Sequence, residues 1–572
     1  LLERDEIRMG YVLACQTTVQ GDVEIEVPPE TRLEGHPKLE DEEARRFGNI
    51  APRPGTKAYA FSPLAKKWFL KLPPPSLADN VGDLERIYRE LRRKADYPVM
   101  QTGLYNVRRL AQLVRESNWE TTVTLGHRGG TVEIVQLEKG DSSARNYGIA
   151  VDVGTTTLVA QLVDLTNGAT IGTQASYNSQ TWFGEDVISR IIYCIEDPDG
   201  LTELQRYVVS DINTLITALV EQHKIDLADV TMCVAAGNTT MIHLLLGINP
   251  TYIRHEPYIP TANCLPAFRA AEVGITINGR GLLQCMPGVG AYVGSDVVAD
   301  ILASGMHLSE DLTLLIDVGT NGEVVLGNSD WLICCSASAG PSFEGGGMRC
   351  GLRATNGAIE RVAISPTGRI VLQTIGGSPA KGICGSGMID LVAELYRNRY
   401  LDKSGRFNTD RGLPHLREGP DGLEFVLVPA AQAGTDQDVV VSETDISIFV
   451  RSKGAIYTAA EALVKHVGLT FDDIKRVFIA GGFGYHLDII NSITIGLLPD
   501  MALESFNFLG NGSLAGARMA LLAEDALRAA EEIASRTTYF DLSTDPGFMN
   551  RFTSSLFIPH TDVESFPSVI VA

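Results

Sequence analysis

Hydrophobic and polar positions change their period several times along the chain. From Tyr11 to Pro29 the segment YVLACQTTVQGDVEIEVPP alternates at Val23, Ile25 and Val27, which predicts a strand that stops at Pro28 and Pro29. Residues 31–57 are polar and acidic, then Pro-rich, with no sustained period, and predict an exposed linker over 30–57. Over 58–146 a small α/β middle domain is expected. DLERIYRELRRKAD and LYNVRRLAQLVRES carry helical periodicity, and WETTVTLGHRGGTVEIVQLEKGD reads as a hairpin turning at Gly129 and Gly130. Arg86, Arg89, Arg92, Arg93, Lys94, Arg108 and Arg109 gather on those two helices, either as solvated faces or as a dock for an acidic partner.

From Tyr147 to the end, strands rich in β-branched residues alternate with helices, the pattern of an α/β architecture. Here the chain repeats itself. IAVDVGTTTLVAQLVD (149–164) corresponds to TLLIDVGTNGEVVLGN (313–328), each an apolar strand, an Asp-Val-Gly-Thr turn and a second apolar strand. VTMCVAAGNTTMIHLLLGINP (230–250) likewise pairs with KRVFIAGGFGYHLDIINSITIGLLP (475–499). Two matches in the same order predict a duplicated domain over 147–572, built as two related halves.

The turns carry a definite chemistry. A hairpin that approaches a triphosphate needs a tip without a side chain, amide and hydroxyl donors around it, and a carboxylate for magnesium. Gly154 with Thr155, Thr156 and Thr157 meets the first two needs and Asp152 the third; Gly319, Thr320, Asn321 and Asp317 repeat the set. Magnesium keeps most of its water, so Asp152 and Asp317 are expected to hold those waters rather than surround the metal. VFIAGGFG places Gly481, Gly482, Phe483 and Gly484 after a buried strand, where bare backbone suits an adenosine moiety.

Composition narrows the partners. The 572 residues exceed a single core and predict two to four domains. A formal net charge of −22 argues against nucleic acid or an anionic membrane as the main partner. There is no apolar run of a span's ~18–20 residues, and LLERDEIRMG lacks the order of a signal peptide, so a cytoplasmic protein is expected. Nine cysteines without a C-x-x-C pair do not make a disulfide framework, and most are expected to be buried small hydrophobes.

The order VDVGTTT, IDVGTNG, FIAGGFG resembles the two phosphate motifs and the adenosine motif of the acetate and sugar kinase, Hsp70 and actin superfamily, over about 147–572. NSQTWFGEDVISRI, AAGNTTM, ASAGPSFEGGGMRCG, GICGSGMIDLVAEL and SKGAIYTAAEAL are similar, more narrowly, to the reductive activators of corrinoid proteins. That resemblance implies ATP binding and hydrolysis coupled to reduction of cob(II)alamin to cob(I)alamin in a corrinoid (iron–sulfur) methyl-carrier partner. It also implies a low-potential electron donor and a homodimer.

In those activators electrons enter through a plant-type [2Fe–2S] domain whose cluster needs C-x4-C-x2-C and a distant fourth cysteine. VLACQT around Cys15 resembles the fourth-ligand segment, and no other cysteine precedes Cys194. Residues 1–29 are therefore expected to be the C-terminal remnant of a ferredoxin-like domain, with Cys15 its fourth ligand. Three other readings stand beside this one. A small-molecule kinase would use Asp186 or Asp296 as base, although either could be a helix cap. An ATP-dependent activator of acyl-CoA dehydratases or reductases would need closely spaced cysteines for a [4Fe–4S] cluster, where adjacent Cys334 and Cys335 look like core. An actin- or Hsp70-like scaffold would carry no redox cluster.

Overall fold

The computed structural model describes residues 59–570, apart from 98, 366–368, 413, 421 and 482–486. The expected ferredoxin-like remnant with Cys15, the linker over 30–57, and Gly482, Phe483 and Gly484 lie outside the described residues.

The first described domain is a four-stranded sheet of β1 (Ala65–Lys71), β2 (Met100–Thr102), β3 (Glu120–Arg128) and β4 (Thr131–Lys139), in the order β1-β3-β4-β2. The β3–β4 hairpin turns at Gly129 and Gly130, both at positive φ (53° and 78°), the geometry a two-residue hairpin favours. Helices Asp83–Lys94 and Leu104–Glu116 bury Ile87 and Leu91, and Leu110, Leu113 and Val114, in one core with Leu70, Val123 and Ile134. Arg86 corrects the expectation of a solvated or docking face. Its guanidinium is fully buried, donating to Asp79 Oδ2 at 2.6 Å and to the carbonyls of Pro73, Asp79 and Val81. Arg89 and Arg93 are also paired within the domain, with Asp79 and Glu90.

The duplication is a repeated sheet. The first half contains β5 (Tyr147–Val153), β6 (Thr157–Asp164), β7 (Thr170–Tyr177), β8 (Val230–Gly237), β9 (Phe268–Arg269) and β10 (Leu282–Cys285), ordered β7-β6-β5-β8-β10-β9. The second opens with β11 (Thr313–Val318), β12 (Asn321–Gly327) and β13 (Leu332–Ser338). Two three-stranded sheets follow, β14 (Ala358–Ile364) with β15 (Ile370–Thr374) and β16 (Gly382–Ile383), and β17 (Leu416–Gly419) with β18 (Gly422–Val428) and β19 (Val439–Ser442). Then β20 (Arg476–Ala480), β21 (Phe506–Gly510) and β22 (Thr537–Tyr539) complete the order β21-β20-β11-β12-β13-β22.

Strand for strand, β7-β6-β5-β8-β10 matches β13-β12-β11-β20-β21. β5 pairs antiparallel with β6 and parallel with β8, as β11 does with β12 and β20, and β10 lies parallel to β8 as β21 does to β20. Parallel strands covered on both faces read as continuous apolar runs, which is why VTMCVAA and RVFIA stood out in the sequence. Helix Ser295–Ser304 follows β10 and helix Gly512–Leu522 follows β21. They cross so closely that a Cβ on Gly516 would lie 2.4 Å from the Ala299 carbonyl oxygen. Residues of both helices share a core with Ala150 and Met232 of the first sheet and Leu315 and Phe478 of the second. No helix among the described residues is long and apolar enough to cross a membrane.

Candidate active site between the two halves

The tips of the β5–β6 and β11–β12 hairpins meet across a cleft of about 170 Å3. Thr156 Oγ1 and Thr320 Oγ1 lie 3.1 Å apart, one from each half, and Thr320 also donates to Glu344 Oε2 at 2.9 Å. Ligand pockets usually span roughly 300–1,000 Å3. The cleft as it stands is narrower than that.

The first tip is held from behind. The Asn178 amide donates to Gly154 O at 3.0 Å, the Asn178 backbone N–H to Thr156 O at 2.9 Å, and Arg190 Nη2 to Thr155 O at 2.6 Å. Arg190 is fully buried, and burial holds its guanidinium down to about 9. With its carbonyls tied back, the turn presents its other face to the cleft. Gly154 is required there, since a Cβ would sit 2.3 Å from Thr157 O. Gly154→Ala should shift the tip and weaken adenine-nucleotide binding, and should lower the melting temperature as well, because the ~1–3 kcal/mol of backbone strain is borne by the folded chain. Calorimetric titration of ADP measures this, and unchanged affinity would show that the tip takes no part in binding.

The carboxylates are the most telling feature. Asp152, Asp296, Asp300, Asp317 and Glu323 all line the cleft, together with Glu344. Burial raises Asp152, against hydrogen bonds from Ser513 and Asn511 that lower it. Burial, and then the Asp317 charge, push Asp296 up to about 7, while burial raises Asp317 to about 6. Asp300 and Glu323 are driven well above the usual carboxylate range by burial and the neighbouring acids. Asp300 is packed against Asp317, and no hydrogen-bond donor among the described residues reaches its oxygens. Such a group of acids favours a cation. No three His, Cys, Asp or Glu among the described residues are arranged to hold a metal directly.

Asp152, Gly154, Thr155, Thr156, Thr157, Asp317, Gly319, Thr320, Asn321 and Gly481 all line this one cleft. Gly481 has φ 97°, and a Cβ there would meet Val318 O at 2.5 Å and Asp317 Oδ1 at 2.8 Å, so it packs directly against the second hairpin. Asp186 lies elsewhere. It caps helix Val187–Glu196, accepting from Ser189 N at 2.8 Å. Cys334 and Cys335 are buried in the core.

The sequence reading missed Asp300, Glu323, Asn511 and Ser513. Two signals were available: acids four residues apart in the otherwise apolar SDVVADILAS, and Glu323 directly across from Asp317, where the first half pairs Asp152 with Val159.

Two copies of one sheet, closing hydroxyl-bearing glycine turns and buried acids on a shared cleft, define a nucleotide-binding protein of the actin, Hsp70 and sugar-kinase class. Residues 311–570 match the C-terminal domain of RACo, the ASKHA domain, residues 147–309 the RACo middle region and residues 55–144 the RACo linker region. The chain is 34% identical over 413 residues to the corrinoid activation enzyme RamQ of Eubacterium limosum, covering 71% of this chain and 69% of that protein. It is 25% identical over 447 residues to the [Co(II) methylated amine-specific corrinoid protein] reductase of Methanosarcina barkeri, covering 72% of this chain and 76% of the relative. A solved reductive activator for corrinoid, iron–sulfur protein superposes with a TM-score of 0.86 at 44% identity, over 99% of this chain and 90% of the other. The chain belongs to the RACo family.

Proposed function

We propose that this protein is an ATP-dependent reductive activator that returns inactive cob(II)alamin in a partner corrinoid protein to cob(I)alamin. The observation that carries the reading is the 44% identity, over 99% of the chain, to a reductive activator for corrinoid, iron–sulfur protein. The reaction adds one electron from a low-potential donor to cobalt, while ATP and water become ADP and phosphate. Nucleotide can help an uphill reduction only by binding two states of the protein differently. A cleft whose two lips touch through Thr156 and Thr320 offers those states, apart and closed.

Within this reading, Gly154, Thr155, Thr156, Thr157, Gly319, Thr320 and Asn321 bind the phosphates. Asp152 and Asp317 hold the waters of a nucleotide-bound magnesium, whose charge would neutralise the phosphates, and Gly481 with residues 482–484 receives the adenosine. Cys15 supplies one thiolate toward a [2Fe–2S] centre, which requires four. A cytoplasmic setting belongs to the same proposal.

The test mixes the protein with a corrinoid protein in the cob(II)alamin state and a chemical low-potential reductant, with ATP or a non-hydrolysable analogue. Loss of the cob(II)alamin electron paramagnetic resonance signal and growth of cob(I)alamin absorption should require ATP. ATP consumption that depends instead on a small phosphoacceptor would establish the kinase reading, in which Asp296 is the base within reach of the cleft.

A further inference from the structure

The halves repeat more than their hairpins. A Gly-Ser pair also opens the helix after the fifth strand of each: Gly294-Ser295 before Asp296, and Gly512-Ser513 after Asn511. The two serines now do different things. Ser295 stays in its own half, where its hydroxyl donates to Gly237 O and accepts from Gly237 N, both at 3.0 Å. Ser513 crosses the cleft and donates to Asp152 Oδ1 at 2.7 Å.

Asn511 joins it. Its Nδ2 donates to Asp152 Oδ2 at 2.8 Å, while its Oδ1 caps the helix by accepting from Leu514 N at 2.8 Å. Each oxygen of the half-buried Asp152 carboxylate thus receives one neutral donor from the opposite half, and each keeps a lone pair for a further donor such as a metal-bound water. Asp317, the repeat partner of Asp152, is treated otherwise. Across the cleft it meets another acid, Asp300, in place of a serine and an amide. Duplication has left one hairpin acid oriented by two donors and the other facing an acid.

We propose that Asn511 and Ser513 are positioning residues for nucleotide turnover: carried at the start of the helix after β21, they orient the first half's Asp152 toward the water shell of the nucleotide's magnesium. The proposal rests on the role given to Asp152 above.

Steady-state ATP hydrolysis by the whole protein tests it. Ser513→Ala should lower kcat by about 10- to 100-fold, the span of one hydrogen bond to a charged group, with ADP affinity nearly unchanged. Ser513→Thr, which keeps the hydroxyl, should recover most of the rate. Asn511→Ser retains a helix-capping residue but not the amide's reach, so it should lose rate in the same direction even if Ser513→Ala proves unstable. The deciding measurement is a double-mutant cycle in which Ser513→Ala, added to Asp152→Asn, changes the residual rate by no more than about twofold. Losses that multiply in the double variant, or equal losses in the Ala and Thr variants, would overturn the positioning role. An unaltered, folded protein with no ATP turnover at all would overturn the nucleotide reading itself, and this proposal with it.

Discussion

Replacing Asp317 by alanine should slow ATP hydrolysis by roughly 100- to 1,000-fold while changing ADP affinity far less, and Asp152→Ala should do the same. Both acids sit at the ends of apolar strands, half-buried, on opposite walls of one cleft. Charge moves during phosphoryl transfer, and a preorganised carboxylate acting through magnesium's waters has most to do at that moment. Bound ADP asks less of it. The expected loss is about 3–4 kcal/mol of transition-state stabilisation, the usual cost of deleting one such electrostatic contact. The two variants should differ in a second respect. Asp317→Ala removes the acid packed beside Asp300, whereas Asp152→Ala leaves Asn511 and Ser513 without their acceptor. Hydrolysis at the original rate in both would mean that the Asp-Val-Gly-Thr turns are architecture alone.

Much of this was legible in the chain because the repeated unit is local. An apolar strand, an Asp-Val-Gly-Thr turn and a second apolar strand form within sixteen residues, and burial on both faces demands continuous hydrophobic runs that align by inspection. The pairing of VTMCVAAG with RVFIAGG was legible for the same reason, and β8 and β20 occupy equivalent places beside β5 and β11. What escaped was set by contacts distant in sequence. Asn511 and Ser513 lie 359 and 361 positions from Asp152, and nothing in NGSLAGAR states which carboxylate they will meet. Arg86 looked like one more charge on a solvated helix, because its partners, Asp79 and three carbonyls, come from an irregular segment that no period reveals. Gly481 was read as space for a nucleoside; the structure adds that its bare Cα lets β20 approach Asp317.

Lys67→Met is expected to destabilise the docking of the small domain by about 3–5 kcal/mol, although the site is remote from the nucleotide cleft. Lys67 is fully buried on β1, with Nζ 2.9 Å from Glu138 Oε2 of β4 and 2.8 Å from Asp229 Oδ1, which precedes β8 of the first half. Arg145 reaches the other oxygen of Asp229 at 3.0 Å, and Glu133 lies buried between Arg128 and Arg269. The small domain also grips the second half: Ser62 N donates to Leu522 O and Leu64 N to Leu521 O, both at 3.0 Å, and Lys66 pairs with Glu524 at 2.8 Å. It therefore spans both halves beside the crossing helices. Removing the buried cation leaves Glu138 without one and Asp229 with Arg145 alone, where water reaches poorly, and that penalty, rather than the strength of either ion pair, sets the size of the effect. Urea unfolding followed by tryptophan emission reads it directly, since Trp68 and Trp119 belong to this domain. Neutralising the stranded acids, as Lys67→Met/Glu138→Gln/Asp229→Asn, should recover most of the loss, because the Arg145 left unpaired is 59% exposed and readily hydrated. A single variant that unfolds at the original midpoint would show that the small domain is held by its apolar contacts and backbone pairs, with the buried charges contributing nothing.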